Sequence, residues 1–322
     1  MAVVSIIIPN YNHAPFLKER IESLLQQTYK DFEIIILDDC SADNSRDIIE
    51  SYRFHHSISK ISYNETNSGS TFKQWQKGIA LSAGKYIWIA ESDDWCEPTL
   101  LEELVNGMEQ NENVAIGYCG AVVVNENEIL YTSASNKFKE VLNGIAFIKS
   151  HMIESNLIFN ASMAIFKKDC FNKISSEYTS YKFCGDWLFW IMLAQKGDVY
   201  ISGKYLNYFR KHSADVSNKS MADGTYFEEY TRLAEYLLRS NLIDRPQYHV
   251  LLFKRYQKLK VFEGDEVLKK KLLLRYATLI GKKNRFRIKA EVMFHNAYIT
   301  AWLVTPFFIK KIIRNFILKK TT

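Results

Sequence analysis

Glu91-Ser92-Asp93-Asp94 is the densest chemistry in the sequence. Three carboxylates within four residues repel one another unless a cation sits among them. Oxygen ligands of this kind suit Mg2+ or Mn2+, ions that bridge carboxylates to phosphate oxygens. An ion so held neutralises charge on a departing diphosphate, as Lewis acid and template. The other reading is a solvated turn ahead of a helix opening at Pro98, since helix N-termini favour Asp and Glu. A second acidic pair, Asp38-Asp39, runs into Ser41-Ala-Asp-Asn-Ser45. Turn and cap residues dominate that stretch, so a capping loop is one reading. A carboxylate that accepts a base N–H from a nucleotide is the other.

These acids need elements to carry them. Val3–Ile8, Glu33–Leu37, Ile58–Tyr63 and Tyr86–Ala90 read as short strands. Between them lie helical patterns near Pro15–Gln26, Arg46–Tyr52 and Phe72–Ser82, and Pro98–Glu109 follows with a proline at its start. Strands alternating with helices, the strands apolar runs except for Ile58–Tyr63, predict a parallel sheet covered by helices. Ligands of such sheets bind beyond the carboxyl ends of the strands. Three strands end in polar chemistry there: Pro9-Asn-Tyr-Asn12, Asp38-Asp39 and Glu91 to Asp94. After Val114–Val124 the alternation becomes irregular. Gly144–Glu154 and Asp186–Gln195 read as helices, with Ala164–Lys167, Tyr200–Ser202 and Tyr205–Arg210 as short strands. Beyond Ala222 the pattern is nearly all helix, which places a boundary near residue 220.

Taken together the segments resemble family 2 inverting glycosyltransferases. The resemblance rests on Ser5-Ile-Ile-Ile-Pro-Asn-Tyr-Asn12, Ser23-Leu-Leu-Gln-Gln-Thr-Tyr29 and Phe32-Glu-Ile-Ile-Ile-Leu-Asp-Asp39 with Ser41 and Asp43. Asn67-Ser-Gly69, Gly84-Lys-Tyr86 and Glu91-Ser-Asp-Asp94 continue it, in order, across residues 3–110, and it runs weakly on to about residue 217. It implies a GT-A fold, an α/β architecture with a mixed, mostly parallel sheet between helices. It also implies a nucleotide-diphosphate sugar donor, UDP- or dTDP-linked, and Mn2+ or Mg2+. By this likeness Pro9 and Tyr11 line the base pocket, Asp39 binds the base with Asp38 in support, and Lys73 meets the diphosphate. Asp93 holds the metal, and Asp94 helps hold donor or metal. Glu91 stands where the family usually has Asp; its longer reach places it on the ribose or a metal-bound water. Cys184-Gly-Asp-Trp187 resembles the motif carrying the general base, which makes Asp186 the proton acceptor in a single-step inversion. From local sequence alone Asp186 reads instead as the N-cap of the helix Trp187–Gln195. Tyr208-Phe-Arg-Lys-His212 with Ser217 resembles a segment closing over the donor, with Arg210 at the diphosphate and His212 as a metal ligand. Trp187 and Trp190 are either an acceptor platform or helix core.

Composition narrows the field. Of 322 residues 47 % are hydrophobic, which supports a packed interior and excludes a largely disordered chain. Charge is uneven: residues 245–322 hold 19 Lys and Arg against 4 Asp and Glu, while residues 1–244 carry a net −9. A basic helical region, 221–322, is thus expected beside a catalytic domain, 1–220. Ala297–Ile309 is apolar, broken by Pro306 and followed by Lys310-Lys311, Arg314 and Lys319-Lys320. It is too short to span a bilayer and suits a helix in the interface of an anionic leaflet, near a lipid-linked glycan acceptor. An ordinary helix packed on the body or on a second subunit is the other reading. Bulky aliphatics among the cations and no nucleic-acid motif argue against nucleic acid. Five scattered cysteines, with no secretory leader, fit a reducing cytoplasm and a peripheral place at the inner membrane face. The resemblance to family 2 glycosyltransferases also implies a role in surface polysaccharide synthesis. A nucleotide-dependent oxidoreductase is excluded by the lack of a Gly-x-Gly-x-x-Gly turn after the first strand. A carbohydrate- or nucleotide-sugar-binding protein that has lost catalysis is the remaining alternative.

Overall fold

Uninterrupted apolar runs become the inner strands of one sheet in the computed structural model, which describes residues 2–125, 128–133, 139–211, 223–282, 284 and 286. The strands are β1 (Val4–Asn10), β2 (Phe32–Asp38), β3 (Ile58–Tyr63), β4 (Tyr86–Ile89), β5 (Trp95–Cys96), β6 (Val114–Val124), β7 (Ile129–Thr132), β8 (Glu140–Leu142), β9 (Ala164–Lys167) and β10 (Asp198–Arg210). Their order is β3-β2-β1-β4-β9-β6-β10-β5, with β7 on β6 and β8 on β10. Pairing is parallel through β3, β2, β1 and β4, and again between β6 and β10. Between these two blocks β9 runs antiparallel to both β4 and β6. Every residue of β1, β4 and β6 is buried, as strands covered on both faces require.

Helices α1 (Ala14–Leu25), α2 (Ser45–Ser51), α3 (Thr71–Leu81) and α4 (Leu100–Glu109) connect the first strands. The single-turn helices α5 (Gly144–Phe147) and α6 (Lys168–Phe171) precede α7 (Gly185–Ala194). Three elements depart from the sequence reading. The helix expected from Pro98 starts at Leu100, because the chain at 97–98 is held elsewhere: the Gln27 amide donates to the Glu97 carbonyl at 2.8 Å and the Thr28 N–H to the Pro98 carbonyl at 2.8 Å. The two short strands expected near 200–210 are one strand, β10. Its register slips between Ile201 and Asn207 around Gly203, which sits at φ +74°, and so the sequence looks broken there. Residues 144–154 hold one α-turn and then a wider turn over Ile148–Met152.

By their contacts the residues form two compact units that divide between Leu242 and Ile243. The helix Thr225–Arg239, placed by sequence in the basic region, therefore belongs to the first unit. In the second unit the helices Arg245–Lys260 and Glu266–Ile280 pack on each other. Asp244 and Gln247 close a capping box on the first of them, and Asp265 caps the second. All five cysteines are free, and only Cys40 is exposed. No helix among the described residues is long and apolar enough to cross a membrane.

Candidate active site

Strand register brings the polar strand ends to one rim. In β1 and β2, Asn10 lies opposite Asp38, and the Asn10 amide donates to Asp38 Oδ1 at 2.8 Å. The Ala90 N–H donates to the Ile7 carbonyl at 2.8 Å, so Glu91 begins where the sheet ends. Two loops interlock over this rim. Asn12, at φ 56°, accepts the Ala42 N–H through its side chain, and its own N–H donates to Ser41 Oγ at 2.9 Å. Asp43 accepts the Ala14 N–H at 2.9 Å. Pro9 is buried inside β1, whereas Tyr11 stands 48 % exposed at the tip of its loop, open to a ligand.

Asp38 and Asp39 are buried and fully engaged. Asp38 accepts from Asn10 and from the amide and hydroxyl of Ser41. Asp39 Oδ1 accepts from Asn64, the Ser68 N–H and Gln74, at 2.5, 2.9 and 3.0 Å; Oδ2 takes the Ser68 hydroxyl at 2.7 Å. Asp39 thus knots the 64–70 loop to the sheet, and Lys73 donates to the Ser68 carbonyl of that loop at 3.1 Å. Asp39→Ala strands several buried donors. It is expected to lower stability by about 3 kcal/mol; an unchanged urea midpoint would contradict this.

Glu91, Asp93 and Asp186 come together. They line one cleft of about 430 Å³, with His13, Trp75, Asn156, Lys182, Trp187 and Lys211 among its other walls. Adjacent residues of α3 join the acidic segments: Gln74 bonds Asp39, and Trp75 Nε1 donates to Glu91 Oε1 at 2.9 Å. Ser92 Oγ lies 2.8 Å from His13 Nδ1. Burial, and then the charges of Asp93 and Asp94, push Glu91 up to about 8. The buried Arg20 guanidinium, over the Trp88 ring at 5.3 Å, pulls the other way.

Asp94 and Arg210 do not line the cleft. Asp94 is fully buried; it accepts from the Arg210 N–H at 3.1 Å, Asn160 at 2.9 Å and Ser162 Oγ at 2.6 Å. Its pKa lies above the ordinary carboxylate range, through burial first and the Asp93 charge second. It ties the acidic turn to β10 instead of facing a ligand. Arg210 Nε donates to the Asp93 carbonyl at 2.9 Å and Nη2 pairs with Glu19 at 2.5 Å. Its guanidinium is sandwiched between the rings of Phe16 and Trp95, at 4.7 and 4.5 Å. In this arrangement it props the backbone of Asp93 and is engaged away from the cleft. Trp190 is core, at 0 % exposure, while Trp187 lines the cleft and its Nε1 donates to the Met152 carbonyl at 2.8 Å. His212 lies outside the described residues, as does the Ala297–Ile309 segment.

Asp186 opens α7. The Trp187 N–H donates to Oδ1 at 2.7 Å and Asn156 Nδ2 to Oδ2 at 2.8 Å. Burial pushes its pKa up to about 7, against the pull of these donors, and the Glu229 charge adds to the rise. A carboxylate with that pKa, lining a cleft, is suited to taking a proton near neutrality. Among the described residues no set of three His, Cys, Asp or Glu side chains could hold a metal ion. Glu91 and Asp93 give one wall of the cleft two carboxylates, the number with which proteins commonly hold a Mg2+-like ion that keeps water and phosphate ligands.

Sequence reasoning missed His13, Asn156, Lys182, Lys211, Arg20 and Glu229. His13 had a signal, because it follows a strand end at the binding rim. Glu229 had one too: it is an acid among Phe227, Tyr230 and Leu233, on the buried stripe of its helix. Asn156 stands in an irregular segment with no signal of its own.

The sequence pattern of glycosyl transferase family 2 matches residues 5–174, more than half of the chain. An uncharacterised glycosyltransferase of Rickettsia typhi is 30 % identical over 235 residues, covering 72 % of this chain and 70 % of that one. The poly(ribitol-phosphate) beta-N-acetylglucosaminyltransferase TarP of Staphylococcus aureus is 27 % identical over 226 residues, 68 % of this chain and 65 % of its own. Among solved structures, S. aureus TarS 1–349 in complex with UDP-GlcNAc superposes with a TM-score of 0.57 at 19 % identity, over 90 % of this chain and 76 % of that one. The likeness to TarS identifies the GT-A fold. With a rim of acids at the strand ends, this fold and these relatives, the chain is a glycosyltransferase and belongs to glycosyl transferase family 2.

Proposed function

We propose that the protein moves a sugar, with inversion, from a UDP-linked donor to a hydroxyl of a lipid-linked glycan in surface polysaccharide synthesis. The supporting observation is the single cleft shared by Asp93 and Asp186, which come from segments far apart in sequence. The UDP-GlcNAc bound by TarS favours UDP over dTDP. Tyr11, exposed at the rim, stacks on the base. Asp38 and Asp39 shape the loops around it, and Lys73 turns toward the diphosphate.

Asp93 and Glu91 would hold Mn2+ or Mg2+, which would supply positive charge against the diphosphate leaving group. His212 is a further candidate ligand. The backbone of Asp93 is kept in place by Arg210, and Asp94 fixes the turn behind it. Asp186 accepts the proton of the acceptor hydroxyl as its oxygen bonds to the anomeric carbon and the bond to the diphosphate breaks. The reading is tested by supplying Mn2+, a panel of UDP- and dTDP-sugars and a lipid-linked acceptor, then determining the anomeric configuration of the product. An inverted linkage is expected. Retention, or release of nucleotide at the background rate with every donor, would refute it.

The basic C-terminal region, with its excess of Lys and Arg, is proposed to rest on an anionic leaflet from the cytoplasmic side. Cutting the chain near residue 285 is expected to abolish cosedimentation with phosphatidylglycerol vesicles and leave UDP affinity unchanged. A truncated protein that still sediments would exclude this contact.

A further inference from the structure

The helix Thr225–Arg239 lies beyond the residues matched by the family pattern, yet it reaches the site. Its Glu229 is 5 % exposed and accepts three consecutive backbone N–H groups: Lys182 at 2.5 Å, Phe183 at 2.8 Å and Cys184 at 2.8 Å. These amides belong to the loop that enters α7, two residues before Asp186. A carboxylate is the side chain that can take all three, since it offers only acceptors on two oxygens.

We propose that Glu229 is a positioning residue for catalysis, which clamps the Lys182–Cys184 backbone and so aims Asp186 into the cleft. The inference rests on the reading of Asp186 as proton acceptor. The rest of the helix grips the same stretch on either side. Arg232 donates to Ser180 Oγ at 2.5 Å and covers the Tyr181 ring at 3.9 Å; Arg239 pairs with Glu177, and the Tyr236 hydroxyl donates to Gln195 at 2.6 Å. Those contacts brace the flanks of α7, whereas Glu229 alone among them holds the residues that lead into Asp186.

The clamp also carries charge. Glu229 is a negative group near Asp186 and contributes to its raised pKa. The other groups that face Asp186 are the Asn156 amide and the Trp187 N–H, with Glu91, Asp93, His13, Lys182 and Lys211 around the same cleft. Aim and charge can be separated by substitution. Glu229→Gln removes the charge and sets an NH2 against at least one backbone donor. Glu229→Asp keeps the charge but withdraws the oxygens by one methylene.

The test compares parent, E229Q, E229D and D186N, reading UDP or dTDP released from a panel of UDP- and dTDP-hexoses with Mn2+, as a function of pH. E229Q is expected to lower kcat at least about tenfold, as a misaimed catalytic group does, with donor KM unchanged and the midpoint of the pH profile moved to lower pH. E229D is expected to lose kcat with its midpoint in place. A merely structural residue would leave both midpoints where they are. In the parent, hydrogen exchange at the amides of residues 182–184 is expected to be slow, a readout that needs no variant to fold. Parent-like kcat and midpoint in E229Q, or fast exchange at those amides, would overturn the clamp. D186N with parent-like turnover would instead overturn the base reading, whatever E229Q does.

Discussion

Asp186→Asn is expected to abolish sugar transfer, by at least about a thousandfold, and above pH 7 to make the protein more stable. The first effect follows from removing the proton acceptor while leaving the cleft intact. The second follows from the pKa of Asp186. Burial raises it to about 7, so the folded state binds that proton more tightly than the unfolded chain does. Stability from this group is therefore full at pH values below the ordinary aspartate range and is lost as pH climbs through 7. An Asn stays neutral throughout. Its NH2 also has a ready acceptor, because Asn156 Oδ1 is buried without a hydrogen-bond partner and becomes available when that amide turns over. The gain should reach about 2 kcal/mol at pH 8, discounted for partial exposure, and vanish near pH 4. Thermal denaturation at several pH values checks it. The parent's kcat/KM should rise with pH to a plateau, with a midpoint near 7. Activity retained by D186N, or a variant less stable at pH 8, would contradict the assignment.

Asp93→Ala is expected to remove the dependence of UDP binding on Mn2+. Of the acidic turn, Asp94 has both oxygens taken by Arg210, Asn160 and Ser162, and Glu91 has one oxygen held by Trp75. Asp93 lines the cleft and has its backbone braced from behind by Arg210. Loss of a ligand costs at least about tenfold in metal affinity, and the diphosphate then loses its bridge to the protein. Calorimetry in Mn2+ should give D93A the UDP affinity that the parent shows in EDTA. Equal affinities of parent and variant in Mn2+ would remove Asp93 from the metal site.

Local repulsion and strand ends made part of this site legible before the fold was known. Glu91 and Asp93 stand out because acids crowd together where an apolar run stops, and both line the cleft. The same signal overreached at Asp94, which is just as acidic but turns inward, since only tertiary structure supplies Asn160 and Ser162 as its partners. Asp39 stands at the rim where the resemblance implies a base-binding acid, with Asp38 in support. Their saturation by Ser41, Asn64, Ser68 and Gln74 depends on loops whose return path local pattern does not encode. Asp186 was legible through its motif, whereas Asn156 and Glu229, which hold it and its loop, come from an irregular segment and a later helix. Strands β1, β2 and β4 were readable because buried parallel strands are largely apolar runs, whereas β3 carries Ser59, Lys60 and Ser62 and is partly exposed. Strand β5 has only two residues, and β10 slips register midway, so neither presents a clean period.

The most direct test of the account is a crystal of the protein grown with UDP and Mn2+, with the ion located by its anomalous scattering. A peak between Asp93 and the diphosphate, in the cleft that Asp186 lines, is the predicted result. A nucleotide and ion bound away from that cleft, or a diphosphate seated there with Asp93 turned from the ion, would contradict it.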